Sequence, residues 1–210
     1  MAVRKVVTRR GHRVRGYMPS LKMGRHVEWE SQHELELYRI LELSGCVKSY
    51  DVQPSVEVIH VNGVEQIYFP DVEVTYLSGR KTIIEVKPSI RLKTPKVAAR
   101  MQAFTEKCRA TNREFYVVTE EVIRKEPRRT AVEELMYHRH PLNSREKFFI
   151  QTRLQEIKPT TVSELRKLLG PELADLALGN GIVGVNLDTV LTEQSEILLV
   201  GGHIHENLHP

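Results

Sequence analysis

Two short apolar runs meeting at a tight turn constrain this chain more than any other feature. Glu65–Tyr76 and Arg80–Val86 each carry the alternation or apolar density of a strand, and Leu77-Ser78-Gly79 between them is a turn signal, so an antiparallel hairpin is predicted. Acidic residues interrupt both runs. Asp71 follows Pro70 in Phe69-Pro70-Asp71-Val72-Glu73-Val74, and Glu85 sits inside Thr82-Ile83-Ile84-Glu85-Val86-Lys87. A carboxylate carried into the interior of a sheet needs a partner, and a hard metal ion is one that suits it.

The neighbouring segments extend this hairpin into a domain. A helix is predicted over Glu28–Leu43, with Glu30, Glu34, Leu37, Tyr38 and Leu41 on one face, ending at Gly45. Strands are expected at Cys46–Tyr50 and Ser55–Val61, the latter turning at Asn62-Gly63. Lys96–Arg109 reads as a basic amphipathic helix that buries Val97, Met101, Phe104 and Cys108. The apolar run Glu114–Thr119 then returns parallel to Ile83–Val86, because a strand, helix and strand in succession favour a crossover. The expected fold class is therefore α/β, a mixed sheet flanked by helices. Thr161-Val162-Ser163-Glu164 reads as a capping box opening a short helix to Leu169, and Gly170-Pro171 restarts a second through Leu178. Two strand-like pieces follow, Ile182–Leu187 and Glu196–Val200, so the C-terminal segment resembles a small winged-helix domain. The division expected is a basic N-terminal arm over 1–25, a main domain over 26–145 and the winged-helix-like domain over 146–210.

Charge is distributed unevenly. Residues 1–30 hold eight Lys or Arg against two acids, 31–79 hold two against eight, and 80–130 hold fourteen against six, within a net charge of +4. An acidic centre between basic flanks suits an enzyme that grips a polyanion, and the segregation points to nucleic acid. No apolar run approaches the ~20 residues of a membrane span, and the basic N-terminus lacks the apolar stretch of a signal peptide. Cys46 and Cys108 stand without CxxC spacing, which fits a cytoplasmic protein and argues against a structural zinc site.

The acids suggest a chemistry. Phosphodiester hydrolysis needs an activated water in line with the leaving oxygen and neutralisation of charge on the phosphate. Mg²⁺ held by carboxylates supplies both, and Mn²⁺ can substitute. Asp71 and Glu85 lie on adjacent strands, the Val86 carbonyl is positioned to add an oxygen ligand, and Lys87 falls on the same strand face as Glu85. An ammonium there orients the attacking water or stabilises the pentavalent transition state. Glu34 is the acid on the core-facing side of the first helix, with Glu30 one turn earlier as its rival. Beyond the site, Lys93, Lys96 and Arg100 are placed to touch DNA phosphates, as are Arg9, Arg10 and Arg13 in the arm.

The order helix-Glu, Pro-Asp and Glu-Val-Lys resembles the PD-(D/E)xK, or restriction-endonuclease-like, nucleases. Further spellings bring the chain closer to the TnsA-type endonuclease subunits of heteromeric cut-and-paste transposases. They are Ser31-Gln32-His33-Glu34, Ile40-Leu41-Glu42, Val47 through Tyr50, Gln53-Pro54, Tyr68-Phe69-Pro70-Asp71 and Ile84-Glu85-Val86-Lys87-Pro88, over about residues 26–120. The resemblance implies a restriction-endonuclease-like core. It implies Glu34 and Asp71 as metal ligands, Glu85 joining the metal site and Lys87 as the catalytic lysine. It also implies nicking of the 5′ strands at transposon ends. The partners implied are a DDE-type transposase subunit (TnsB-like) and an AAA+ ATPase regulator (TnsC-like) that binds the C-terminal part.

Two other readings stand beside this one: a stand-alone restriction, repair or junction-resolving nuclease of the same fold, and a non-enzymatic DNA-binding adaptor. His138-Arg139-His140 and His203-Ile204-His205 have metal-like spacing but read as surface histidines. Trp29 and Tyr38 read as core, and Val122–Thr130, with Arg124, Lys125, Arg128 and Arg129, as a solvated face.

Overall fold

The structure is a computed structural model and describes residues 14–199, 201–206 and 208. In chain order the elements are β1 (Gly16–Ser20), β2 (Arg25–Trp29), α1 (Gln32–Leu43), β3 (Val47–Val52), β4 (Glu57–Val61), β5 (Val64–Tyr68), β6 (Val72–Tyr76) and β7 (Lys81–Val86). Then come α2 (Ser89–Leu92), α3 (Pro95–Ala110), β8 (Glu114–Val118), α4 (Glu120–Ile123), α5 (Arg128–Tyr137), α6 (Ser144–Glu156), α7 (Val162–Leu169) and α8 (Pro171–Gly179). The described residues form two compact units, one of 14–38, 47–124 and 208, the other of 39–46 and 125–206 apart from 200. The division falls after residue 124, earlier than the expected boundary near 145. The reason is α5, whose buried Ala131, Val132 and Leu135 pack on α8.

The first unit is built on a four-stranded sheet in the order β3-β6-β7-β8. β3, β6 and β7 pair antiparallel, and β8 runs parallel to β7 with Ile83 opposite Phe115 and Glu85 opposite Val117. The mixed sheet and the crossover through α3 are as the sequence pattern predicts. Ile83, on the same face of β7 as Glu85, joins Ile59, Val61, Tyr68, Met101, Phe104 and Cys108 in one apolar cluster. Burying such side chains contributes about 1.5–3 kcal/mol each relative to exposure, so this cluster anchors α3 and the β4–β5 hairpin to the sheet.

Three local differences from expectation have physical causes. Residues 16–29 form an antiparallel hairpin where an extended arm through 25 and a helix from Glu28 were expected. Its turn is made by Gly24 at φ +61°, and Met18, Val27 and Trp29 are buried, so tertiary packing overrides the helical periodicity. α1 begins only at Gln32, where the Ser31 hydroxyl accepts the Glu34 N–H at 3.2 Å. The single run Glu65–Tyr76 is two strands: among the described residues β5 pairs with β4 alone, and β6 belongs to the main sheet. Pro70 has no N–H to give a ladder, and Asp71 gives its own to the Glu85 carboxylate at 3.2 Å. The strand breaks where the acids meet.

In the second unit, α7 is capped as expected by Thr161, whose hydroxyl accepts the Glu164 N–H at 3.3 Å. The Glu164 carboxylate reaches back to the N–H of Thr160 at 2.7 Å. A Cβ on Gly179 would stand 2.7 Å from the His138 carbonyl, so a glycine is required where α8 ends against the end of α5. The two pieces expected as a wing meet through an isolated antiparallel bridge, Gly184 to Leu198, rather than a ladder among the described residues. Glu42 and Arg139 form a buried ion pair at 2.7 Å, and Arg128 is buried against Asp188. No described helix is long and apolar enough to cross a membrane.

Candidate metal centre

The break between β5 and β6 and the end of β7 lie side by side. Asp71 follows the β5 break. Its Oδ2 accepts the Val86 N–H at 2.7 Å, and its carbonyl accepts the Gln53 N–H at 2.9 Å. Gln53 is held at φ +45°, an uncommon conformation for a non-glycine residue, directly beside the site. Glu85 is buried on β7, and its Oε2 accepts the Asp71 N–H. The two carboxylates are thus fixed by each other's strand.

The Lys87 ammonium completes the arrangement. It reaches Asp71 Oδ2 at 3.4 Å and the Val86 carbonyl at 3.1 Å, and forms an ion pair with Glu85 Oε1. The Lys87 N–H donates to the Val118 carbonyl at 3.1 Å, tying the end of β7 to β8. Just beyond, the Glu120 carboxylate accepts from the Ser89 N–H at 2.8 Å and the Ser89 hydroxyl at 2.6 Å. That clamp fixes the chain immediately after the lysine. Nothing in the sequence spacing links Glu120 to Ser89, and only the parallel register of β8 brings them together.

Glu34 stands apart from this convergence. Its Oε2 accepts the Glu30 N–H at 2.8 Å and its Oε1 the Ser31 hydroxyl at 2.9 Å, so both oxygens serve the start of α1. It is still near enough to Asp71 for their charges to couple. Glu30 enters through its backbone N–H and through its charge, which raises both Glu34 and Asp71.

The ionisation of these groups reflects crowding. Burial and the neighbouring Asp71 push Glu85 up to about 7, against the opposing pull of Lys87. Burial and Asp71 likewise push Glu34 up to about 7. Burial also raises Asp71, countered by Lys87 and the Val86 N–H. For Lys87, burial works against the ammonium, but Asp71 and Glu85 outweigh it and hold its pKa above the ordinary lysine value. Two tyrosines border the acids: Tyr38, which the sequence reading placed in the core, and Tyr68, to which it gave no role in the site. Tyr38 is buried and raised by burial, then by Glu34 and Asp71, and it stacks on Tyr50 at 5.9 Å between ring centroids. Tyr68 is raised by burial and then by Glu85. Its hydroxyl lies beside that carboxylate without completing a hydrogen bond of ordinary geometry. Val64–Tyr68 has no alternation that marks Tyr68, the one buried residue of that strand.

The donor set fits a hard divalent cation. Asp71, Glu85 and the Val86 carbonyl supply three oxygens around one point, and Mg²⁺ commonly completes its shell with water. Glu34, Asp71 and Glu85, with Glu30 near by, outnumber the one lysine, and their mutual repulsion adds to the effect of burial in raising the carboxyl pKa values. Among the described residues no group of three or more His, Cys, Asp or Glu side chains is arranged to hold a metal, so two carboxylates and a carbonyl are the set available.

The other candidates separate clearly. Lys93 and Lys96 are exposed, whereas Arg100 is half-buried, with its guanidinium 5.5 Å above the Tyr68 ring and a hydrogen bond to the Ile67 carbonyl at 3.4 Å. Arg9, Arg10 and Arg13 lie outside the described residues. His203 is a correction: it is buried, taking the Val185 N–H on Nδ1 at 3.2 Å and pairing Nε2 with the Leu178 carbonyl at 2.9 Å, so it braces the second unit. Arg128 is another, 1% exposed within a run expected to be solvated. Trp29 and Tyr38 are core, as expected.

Residues 44–120 match the family described as TnsA-like endonuclease N terminal. That stretch contains Asp71, Glu85, Val86 and Lys87 with Lys93, Lys96 and Arg100, and begins after Glu34. Among curated proteins, none matches the chain.

Proposed function

We propose that this chain, whose residues 44–120 match the TnsA-like endonuclease N-terminal family, is a Mg²⁺-dependent DNA endonuclease subunit of a heteromeric cut-and-paste transposase, cleaving the 5′, non-transferred strands at transposon ends. One observation carries the reading: Asp71, Glu85, the Val86 carbonyl and Lys87 converge on a single point.

Asp71, Glu85 and the Val86 carbonyl would hold the cation, with Glu34 as the further acid beside Asp71. Bound there, Mg²⁺ neutralises phosphate charge and makes a water more acidic. The protein's own groups do the rest. The Val86 N–H and Asp71 N–H lock the two carboxylates, so no side-chain entropy is lost when they act. Lys87, whose ammonium Asp71 and Glu85 favour, would serve as a positive charge and hydrogen-bond donor to the water and the phosphate. Exposed Lys93 and Lys96 follow the site on the chain and are suited to DNA phosphates, with Arg9, Arg10 and Arg13 as further contacts. The second unit, whose α7 and α8 are joined at Gly170, is assigned a winged-helix-like role in binding TnsB-like and TnsC-like subunits in the cytoplasm. Exposed Phe148 and Phe149 on α6 support an interaction role.

The test is strand-specific cleavage of DNA carrying the element's ends, with the partner subunits and Mg²⁺. Asp71→Ala and Lys87→Ala are expected to lose 5′ cleavage by at least about a hundredfold while 3′ processing by the transposase continues. Undiminished 5′ cleavage by both variants sinks the mechanism. Efficient cutting by the isolated chain, without partners, favours the stand-alone nuclease instead.

A further inference from the structure

The oxygens assigned to the cation are the ones the Lys87 ammonium touches: Asp71 Oδ2 at 3.4 Å, the Val86 carbonyl at 3.1 Å, and Glu85 Oε1. An ammonium and a divalent cation cannot occupy that point together. They repel strongly at such separations, and each needs the same lone pairs. The Lys87 side chain is 28% exposed, and its stem has four rotatable carbons, so it can leave without unfolding the strand. Glu85, at 3% side-chain exposure, cannot follow it.

We propose that Lys87 is a competitor for the metal as well as a catalytic group: its ammonium and the divalent cation are alternative occupants of the Asp71, Glu85 and Val86 oxygens, and a DNA phosphate opens them by drawing the ammonium away. The inference rests on the nuclease reading and adds regulation to it. Linkage makes the effect reciprocal, so DNA raises cation affinity and the cation raises DNA affinity by the same factor. The protein by itself then holds the cation weakly and assembles a cutting site only on its substrate. Such a nuclease is restrained by its own lysine.

The test uses the full chain stripped with a chelator and titrated with Mn²⁺ by calorimetry and by the spin-resonance signal of free Mn²⁺. Lys87→Met keeps the stem and removes the charge. It should bind Mn²⁺ roughly tenfold or more tightly than the wild type, because the fraction of open site no longer discounts the affinity. A duplex oligonucleotide should tighten Mn²⁺ binding to the wild type but much less to Lys87→Met. Adding Asp71→Ala should abolish binding in either background. Lys87→Gln gives a second measurement should the methionine disturb folding. Equal or weaker Mn²⁺ binding by both lysine variants overturns the competition. Absence of Mn²⁺ binding by every protein overturns it together with the nuclease reading. Tighter binding by the variants with no cleavage by the assembled wild-type machinery upholds the competition and removes the nuclease reading alone.

Discussion

At the scale of single residues, two groups of carboxylates pull stability in opposite directions with pH. Glu34 and Glu85 are pushed up to about 7 by burial and Asp71. Between their ordinary 4.5 and 7 the folded chain binds more protons than the unfolded one, so stability falls as pH rises through that window. Glu57 does the reverse. Burial alone would raise it, but hydrogen bonds from Arg113 and Lys107 hold it at about 2, so its contribution is present above 4.5 and lost as pH falls toward 2. Urea unfolding in chelator is therefore expected to show greatest stability at about pH 5, with the alkaline limb flattened by added Mg²⁺. Stability rising steadily from pH 5 to 8 without cation contradicts this. Glu57→Gln should cost about 1–2 kcal/mol at neutral pH, after allowing for its partly exposed partners, and should weaken the acid limb.

At the scale of elements, the site is made by terminations more than by strands. β5 ends at Tyr68, β7 ends at Val86 and α1 begins at Gln32, and an acid or the lysine lies within three residues of each end. The hairpin turns at Asn62-Gly63 and Ser78-Gly79, the α3 crossover and the parallel β8 were legible because they rest on local turn chemistry and apolar periodicity. The start of α1 was not. Glu30 shares the helical face of Leu37 and Tyr38 in projection, which drew the expected start back to Glu28, yet Glu28 and Trp29 pair with β1. Ser31→Ala removes the acceptor for the Glu34 N–H and one donor to its carboxylate, and should cost about 1 kcal/mol in thermal unfolding. Ser31→Thr should recover most of that. An unchanged melting curve for Ser31→Ala would show that the cap does not hold the helix start.

For the whole molecule, the family-matched stretch and the candidate site lie almost wholly in the first unit, while the second has its own buried ionic brace. Glu42 is fully buried and answered by Arg139, whose Nη1 also donates to the Gly179 carbonyl at 2.8 Å. Arg139→Ala leaves an uncompensated carboxylate and should destabilise the second unit by about 3–5 kcal/mol in chemical denaturation. Arg139→Ala with Glu42→Leu should recover much of it, and no recovery would assign the loss to packing instead. Arg139 lay between two histidines that drew attention for metal spacing, and its charge partner is 97 residues away in sequence. That distance explains the limit of the linear reading. The order of residues determined which side chains are acids, where turns and apolar faces fall, and that Asp71, Glu85 and Lys87 end neighbouring strands. Only the tertiary structure decided that Lys87 sits among all three oxygens, that Glu34 turns to its own helix and that Glu120 secures Ser89, because such pairings depend on register and burial that local periodicity does not encode.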